Sequence, residues 1–407
     1  MNFTEKLNNY AKLVTDVGVQ VQEGDTVVIK CPVERADFAR LLVKNAYAAK
    51  AHEVVVNWLD DELTLLNYEN SPVEVMEDFP QWSYDKNEYY YKKGAKMISV
   101  YAENPELLKD IDPEKVKRVS LASSKKFKPL MKYTMNDICS WCVVSVPTLA
   151  WAEKVLPESA NPVEDLWDLI FKVTRMNDSN PVKAWEDHLN LLSAKANWLN
   201  EKNFQFLEYK AANGTDLTIE LPEGHIWTAA SSTNAKEENF VPNMPTEEVF
   251  TLPKKHGVNG IVYSTKPLAY NGNVIDEFWL RFEEGKVVDH DAKVGKEALD
   301  SIFNQDENAR YLGEVALVPY NSPISMSNVL FYNTLFDENA SCHLAFGKAY
   351  PTTIKGGEDM SDEELAKHDV NDSFIHEDFM VGTKDLSIIG VDRDGNRVEI
   401  FKDGNWA

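Results

Sequence analysis

The first third of the chain alternates between short apolar runs and longer stretches with helical spacing. Runs typical of strands occur at residues 25–32, 52–58, 95–102 and 138–146. Between them, stretches such as 35–51 carry apolar residues at intervals of three and four, which predicts amphipathic helices. Strands that alternate with helices favour a parallel sheet with helical crossovers. We therefore predict an α/β N-terminal domain with a mostly parallel sheet.

Beyond residue 161 the pattern becomes helical and then strand-rich. Residues 161–203 contain two helical segments that each open at an Asn-Pro pair, which suits a helix N-terminus. After this bridge, alternating apolar and polar positions are separated by Asn-Gly, Asn-Gly-Asn and Asp-Gly turns at 213–214, 271–273, 394–395 and 403–404. We expect a domain boundary near residue 190, with the α/β domain at 1–190 and a strand-rich α+β domain at 191–407.

The acidic stretch at 356–372 contains a local helix signal. Ser361 and Glu364 have the spacing of a capping box, in which each side chain accepts a hydrogen bond from the other residue's backbone N–H. We expect a short solvated helix in a connection, because runs of this composition are usually polar surface.

Composition and charge narrow the class of protein. The chain has 407 residues, of which 43% are apolar and 27% charged, as in soluble globular proteins with a large core. Forty-two Lys and Arg against 66 Asp and Glu leave a formal charge of −24, which repels nucleic acid and anionic membrane surfaces. The most apolar run, at 138–152, is too short to span a bilayer and contains Pro147. A cytoplasmic protein without nucleic-acid or membrane partners is expected.

Four cysteines are too few for a disulfide framework in a chain of this length. Cys139 and Cys142 form a C-x-x-C motif, which can be a redox pair or half of a zinc site. Their neighbours Trp141 and Val143 are apolar, and this favours small core side chains instead. No G-x-G-x-x-G or P-loop motif follows the first predicted strand, so no sequence motif supports nucleotide binding.

His376 and Asp378 stand two positions apart inside an apolar, strand-like stretch at 373–382. Alternate residues of a strand project to the same side, so this imidazole and this carboxylate converge. They either hydrogen-bond each other or share a metal ion. The pair alone is a weak signal.

Further donors of the same kind lie upstream in similarly apolar surroundings. They are Glu248, Glu314, Glu338 and His343. Each alone fits a strand-end carboxylate or a core histidine. Buried carboxylates need a compensating cation, however, and the neighbouring sequence contains few Lys or Arg residues. Four carboxylates and two imidazoles suit two divalent ions that share a bridging carboxylate, with Zn, Co or Mn favoured and Mg a further option.

At these positions the sequence resembles the aminopeptidase T family, which includes the bacterial aminopeptidases AmpS and PepS. The matching stretches occur in the same order across nearly the whole chain: VSVPTLAWAEKV, NMPTEEVFT, LGEVALV, FDENASCHLAFGKAYP, IHEDFMVG and FKDGNWA. As a set they are highly specific, although each is short.

The resemblance implies a metal-dependent aminopeptidase that removes N-terminal amino acids from peptides and holds two divalent ions in its C-terminal domain. It also implies a homodimer whose active sites face an enclosed cavity. The family's metal positions fall on Glu248, Glu314, Glu338, His343, His376 and Asp378, and its active-site tyrosine falls on Tyr350. Glu247 is adjacent to the first of these, and the motif favours Glu248 as the ligand.

Two other functions stay open from the residues themselves. Another dinuclear metal hydrolase, an amidohydrolase or phosphoesterase, would use the same types of ligand. Phosphoesterases place cationic or backbone N–H groups around the phosphate, and neither an Arg cluster nor a Gly-rich loop lies near these motifs. A non-catalytic, metal-stabilised peptide-binding protein is the second alternative.

Overall fold

A computed structural model describes residues 1–102, 104–270 and 273–407. The first two residues of the predicted turn at 271–273 therefore lie outside the described residues. The chain forms two compact units, of which the first comprises Met1–Glu186 and Ser231–Pro245 and the second comprises Asp187–Ala230 and Thr246–Ala407.

The helices and strands of the described residues are numbered in chain order. The helices are α1 (Phe3–Leu13), α2 (Ala36–Ala48), α3 (Asp61–Asn70), α4 (Val73–Glu77), α5 (Gln81–Lys92), α6 (Pro113–Phe127), α7 (Lys132–Met135), α8 (Leu149–Val155), α9 (Pro162–Val173), α10 (Pro181–Lys202), α11 (Lys296–Phe303), α12 (Thr334–Asp337) and α13 (Asp362–Lys367). The strands are β1 (Thr26–Pro32), β2 (Glu53–Leu59), β3 (Lys96–Val100), β4 (Trp141–Val144), β5 (Phe206–Lys210), β6 (Asp216–Glu220), β7 (Thr228–Ala229), β8 (Ser232–Thr233), β9 (Asn239–Phe240), β10 (Asn243–Met244), β11 (Val249–Thr251), β12 (Val258–Tyr263), β13 (Leu268–Tyr270), β14 (Asn273–Glu283), β15 (Lys286–Val294), β16 (Leu312–Leu317), β17 (His343–Gly347), β18 (His376–Met380), β19 (Ser387–Val391), β20 (Arg397–Lys402) and β21 (Asn405–Trp406). Among the described helices, none has both the length and the apolar character needed to cross a membrane.

The first unit is an α/β structure built on a parallel sheet, as the sequence predicts. The strand order is β10-β4-β3-β1-β2, and every neighbouring pair is parallel. The first four strands correspond to the four predicted apolar runs, and β10 is supplied by the later segment Ser231–Pro245. Helix α2 buries Phe38, Ala39, Leu42 and Ala46, which share one helical face.

The C-x-x-C cysteines lie inside this unit as free, buried thiols. Burial raises the pKa of Cys139 to about 11, and it raises the pKa of Cys142 as well. Reactive or metal-binding cysteines have a lowered pKa, so this pair serves as core side chains.

The second unit is strand-rich and mostly antiparallel, which confirms the predicted class of the C-terminal half. Its larger sheet has the order β13-β14-β12-β6-β5-β19-β20-β21, with β15 paired to β14. Its smaller, five-stranded sheet has the order β18-β17-β16-β11-β7. Apolar side chains of both sheets and of α11 form one continuous core.

The two faces of the five-stranded sheet differ in chemistry because side chains alternate along each strand. One face packs into the core through residues such as Val315, Leu344 and Phe379. We call the other the polar face. It carries Glu314, His343, His376 and Asp378, the small residues Ala316, Ala345 and Gly347, and two larger apolar residues, Phe250 and Met380.

A bulge at Gly313 switches strand β16 from the core to the polar face. Leu312 pairs with Phe346 of β17. Glu314 is two residues after Leu312, yet it pairs with Ala345, which is only one residue away from Phe346. Without the extra residue, Leu312 and Glu314 would share a face. A Cβ atom at position 313 would lie 2.4 Å from the carbonyl oxygen of Lys348, so the bulge requires glycine.

We predict that Gly313→Ala lowers the free energy of unfolding by about 3 kcal/mol, because the added methyl group overlaps backbone that has no room to move. Thermal unfolding followed by circular dichroism measures the change. Gly395→Ala is the control, since an alanine Cβ there has no neighbour within 4 Å and only its positive φ costs energy. A melting temperature of Gly313→Ala equal to that of the unmodified protein would contradict the steric role of the bulge.

Candidate metal centre

Strand pairing brings the predicted donors together on the polar face. Glu314 of β16 and Asp378 of β18 both pair with Ala345 of β17, from opposite sides. His343 begins β17, and His376 begins β18 opposite Gly347. Because directly paired residues project to the same side of an antiparallel sheet, all four side chains meet above Ala345.

The distances define two overlapping groups of ligand atoms. The first group is Glu248, Glu314 and His343, and the second is Glu314, His376 and Asp378. In each group one donor atom per residue lies within 4.8 Å of the others. His343 Nε2 is 3.1 Å from Glu248 Oε2 and 3.5 Å from Glu314 Oε1. His376 Nε2 is 3.5 Å from Glu314 Oε2 and 3.6 Å from Asp378 Oδ1.

Glu314 is common to both groups, and its two oxygens face different imidazoles. Oε1 faces His343, whereas Oε2 faces His376. A carboxylate placed in this way can bridge two cations, one beside each imidazole. The arrangement therefore fits a pair of divalent ions.

Backbone carbonyls orient both imidazoles towards the carboxylates. His343 Nδ1–H donates to the carbonyl oxygen of Ser341 over 3.2 Å, and His376 Nδ1–H donates to that of Lys348 over 2.7 Å. Each ring thus presents Nε2 to the cluster. This outer hydrogen bond is typical of metal-binding histidines, whose tautomer and ring angle it fixes.

With both imidazoles neutral and protonated on Nδ1, two buried atoms of the cluster have no hydrogen-bond donor in the part of the chain that the structure describes, because their nearest polar neighbours are also acceptors. They are His343 Nε2 and Asp378 Oδ1. Leaving such atoms unpaired costs about 1–3 kcal/mol each, and more for charged groups. Cations coordinated by these atoms, one in each group, would remove this cost, so the donors present fit divalent metal ions.

Burial and mutual repulsion act strongly on the carboxyl groups. Burial, with added repulsion from Asp378 and Glu248, raises the pKa of Glu338 well above its usual range. Burial also raises the pKa of Glu314. No lysine or arginine among residues 1–102, 104–270 and 273–407 forms an ion pair with Glu248, Glu314, Glu338 or Asp378. The four can be ionised together only beside another source of positive charge.

The same negative field acts on the imidazoles. Burial by itself lowers the pKa of His343, but Glu248 and Glu314 outweigh that effect and raise it well above its usual range. Burial also lowers the pKa of His376, but the negative charges of Asp378 and Glu314 outweigh this effect and raise it. A field that attracts a proton to Nε2 also attracts a metal ion, and the two compete for the same lone pair.

Of the adjacent pair Glu247 and Glu248, the structure brings Glu248 to the cluster. Glu247 Oε2 instead lies 3.5 Å from His188 Nε2. The backbone N–H of Glu247 donates to Asn339 Oδ1 over 2.7 Å, which ties this strand to the turn that carries Glu338. The contacts that His188 and Asn339 make with Glu247 cannot be predicted from local sequence patterns, because the partners are distant along the chain.

Glu338 and Tyr350 lie at the edge of the two groups. Glu338 belongs to neither group of closely spaced donor atoms, although it repels their carboxylates. It begins the helical turn after α12, where its Oε1 accepts from Asn339 Nδ2 over 3.3 Å. Tyr350 follows β17, and its ring meets that of His376 edge-on with centroids 4.9 Å apart. Both side chains are half-buried.

Comparison with known proteins shows which family the chain belongs to. A family model described as thermophilic metalloprotease (M29) matches residues 3–406. The chain belongs to this M29 family. Its relatives include Aminopeptidase AmpS of Bacillus subtilis (strain 168), 50% identical over 100% of this chain and 99% of that protein, and Aminopeptidase T of Thermus aquaticus, 37% identical over the same shares. The solved structure of wild-type AmpT from Thermus thermophilus is 35% identical, covers 100% of both chains and superposes with a TM-score of 0.94.

Membership of the M29 family confirms the predicted resemblance and the prediction of a metal-dependent peptidase. The high TM-score over the full length also supports the predicted fold class. The polar face of the five-stranded sheet is therefore the candidate metal centre of an M29 enzyme.

Asp378→Asn should weaken zinc binding by at least ~tenfold. Replacing a residue that only hydrogen-bonds to a metal ligand already lowers metal affinity by about tenfold or more, and replacing the ligand itself should lower it at least as much. Glu377→Gln is a matched control, since Glu377 is adjacent in the same strand but pairs with Phe346 on the core face. Elemental analysis after dialysis against limiting zinc measures both. Equal metal contents in the two variants would show that the polar face does not hold the metal.

Proposed function

We propose that this M29 enzyme is an aminopeptidase that removes N-terminal amino acids from peptides with a pair of divalent ions on the polar face. The observation that carries the proposal is the shared carboxylate of Glu314, with one oxygen directed to each imidazole. Relatives named as aminopeptidases, at 36% to 50% identity over the whole chain, support the exopeptidase specificity.

The proposed metal ligands are the six residues predicted from sequence: Glu248, Glu314, Glu338, His343, His376 and Asp378. Their four carboxylates carry four negative charges when ionised, which two divalent ions neutralise while both imidazoles stay neutral. The mixed oxygen and nitrogen donors suit Zn, Co or Mn, with Mg as a weaker match because it prefers oxygen alone. All six lie within the predicted domain at 191–407 and, more narrowly, within Thr246–Ala407 of the second unit, which we propose as the catalytic domain.

Bound divalent ions would supply Lewis-acid chemistry, which lowers the pKa of water and polarises the scissile carbonyl. The chain's formal charge of −24 favours the approach of the peptide's positively charged N-terminal amine. One carboxylate of the cluster carries a proton to the leaving amine.

Tyr350 is proposed to donate a hydrogen bond to the oxyanion that forms on the scissile carbonyl. Burial, with added repulsion from Glu314 and Asp378, raises the pKa of Tyr350 well above its usual range. Its hydroxyl therefore stays protonated and can donate throughout the reaction. Contact with the rings of His376 and Phe250 holds the phenol at the edge of the cluster.

The proposal extends to the state of the protein in the cell. A homodimer is proposed from the family resemblance, and a cytoplasmic location from the sequence composition. Peptides are the proposed substrates, and the formal charge of −24 disfavours nucleic acid and anionic membranes as partners.

Removal of metal should abolish release of amino acids from aminoacyl anilides. We expect a loss of at least ~100-fold after treatment with a strong chelator, and recovery on addition of zinc, cobalt or manganese. A phosphate-ester substrate is the control for specificity. Activity that survives chelation would contradict the metal-dependent mechanism. Restored turnover of the phosphate ester alone would identify a phosphoesterase, and a metal-dependent melting temperature without turnover of any substrate would identify a structural metal site.

Tyr350→Phe should lower kcat by about 100-fold while KM and metal content change little, because the hydroxyl acts on charge that exists only in the transition state. Steady-state kinetics and elemental analysis on the same preparation measure this. An unchanged kcat would remove Tyr350 from the chemistry.

A further inference from the structure

Phe250 is an apolar side chain on the polar face. In β11 its neighbours Val249 and Thr251 are buried, whereas Phe250 is half-buried. It pairs with Ala316 on one side and with Thr228 on the other, and both pairs place it on the face opposite the core. Val249 belongs to the core of the second unit, and Phe250 does not. Packing of that core therefore does not account for an aromatic ring at this position.

The surroundings of Phe250 connect it to the metal centre. It lies two residues after Glu248, which immediately precedes β11 and whose Oε2 is 3.1 Å from His343 Nε2. Its ring meets that of Tyr350 at an interplanar angle of 64°, with centroids 6.0 Å apart, and Tyr350 in turn contacts His376. Ala316 stands between Phe250 and His343 in the strand pairing and has only a methyl side chain. The structure thus leaves an apolar surface beside the carboxylates, with a small residue between them.

An aminopeptidase has to accommodate the first side chain of its substrate close to the amine and the scissile carbonyl. Small-molecule sites combine a few charged groups with an apolar or aromatic wall, and the wall binds the apolar part of the ligand. On the polar face, the acidic cluster and Phe250 meet these two requirements at neighbouring positions.

We propose that Phe250 forms the wall that contacts the side chain of the substrate's N-terminal residue, and that it favours large apolar residues over small ones. The inference rests on the proposed aminopeptidase function. Removal of the ring should reduce binding of a leucine side chain and affect an alanine side chain little. Side-chain discrimination by an apolar pocket spans roughly tenfold to a few hundredfold, so a change of about tenfold is expected.

The test compares Phe250→Ala and Phe250→Leu with the unmodified enzyme. The measured quantity is the ratio of kcat/KM for leucine anilide to that for alanine anilide. We expect this ratio to fall about tenfold in Phe250→Ala and less in Phe250→Leu, which retains apolar bulk and guards against misfolding of the smaller variant. Trp279→Ala is the control, since Trp279 is a half-buried aromatic residue in β14 of the larger sheet.

Calorimetric binding of free leucine and free alanine gives a readout without turnover. Leucine should bind more weakly to Phe250→Ala than to the unmodified protein, and alanine should bind equally to both. A ratio of kcat/KM that stays constant in both Phe250 variants would overturn the inference, even if kcat fell uniformly, since a uniform loss shows that Phe250 acts only through Tyr350. Failure of the unmodified, metal-loaded protein to release any N-terminal residue would instead refute the proposed function.

Discussion

Mutual repulsion among buried carboxylates is the constraint on which this structure depends. Glu248, Glu314 and Asp378 are buried on one face of a sheet, and Glu338 lies beside them. In a medium of low polarity such groups either take up protons or bind a cation. The imidazoles of His343 and His376 add lone pairs directed to the same place, held there by backbone carbonyls. The cluster is therefore organised around positive charge.

The five-stranded sheet uses one face for core packing and the other face for the cluster. Strand alternation places Val315, Leu344 and Phe379 in the core and leaves the opposite side for chemistry. The residues at the centre of the polar face, Ala316 and Ala345, are small and place no bulky side chain between the donors, and the bulge at Gly313 allows Leu312 and Glu314 to face opposite sides. Bulges are frequent beside active sites because they redirect a side chain without disrupting the strands around it.

Local patterns in the sequence are sufficient to predict much of this architecture. Helices α9 and α10 begin at Pro162 and Pro181, where the Asn-Pro pairs predict helix starts. The capping box of Ser361 and Glu364 forms as expected and begins α13. The strands of the first unit follow the apolar runs, and β1, which pairs with a strand on each side, buries most of its residues. The alternation of His376 and Asp378 likewise predicts their shared side of β18.

Features that depend on distant contacts are not encoded in such patterns. Segment Ser231–Pro245 contributes β10 to the parallel sheet of the first unit, although its sequence lies among strands of the second. The choice between Glu247 and Glu248 depends on contacts distant along the chain, since Glu248 lies beside His343 and Glu247 lies beside His188. The bulge at Gly313 is visible only through its pairing with β17, and the role of Ser341 and Lys348 is carried by backbone oxygens that any residue type possesses.

Anomalous X-ray diffraction from crystals grown with zinc or cobalt is the most direct measurement of the central claim. Two anomalous peaks are expected over the polar face, both next to the Glu314 carboxylate, one on the side of His343 and one on the side of His376. Crystals with metal bound only at surface carboxylates, and with no anomalous density near Glu314, would contradict a cluster organised around a pair of cations.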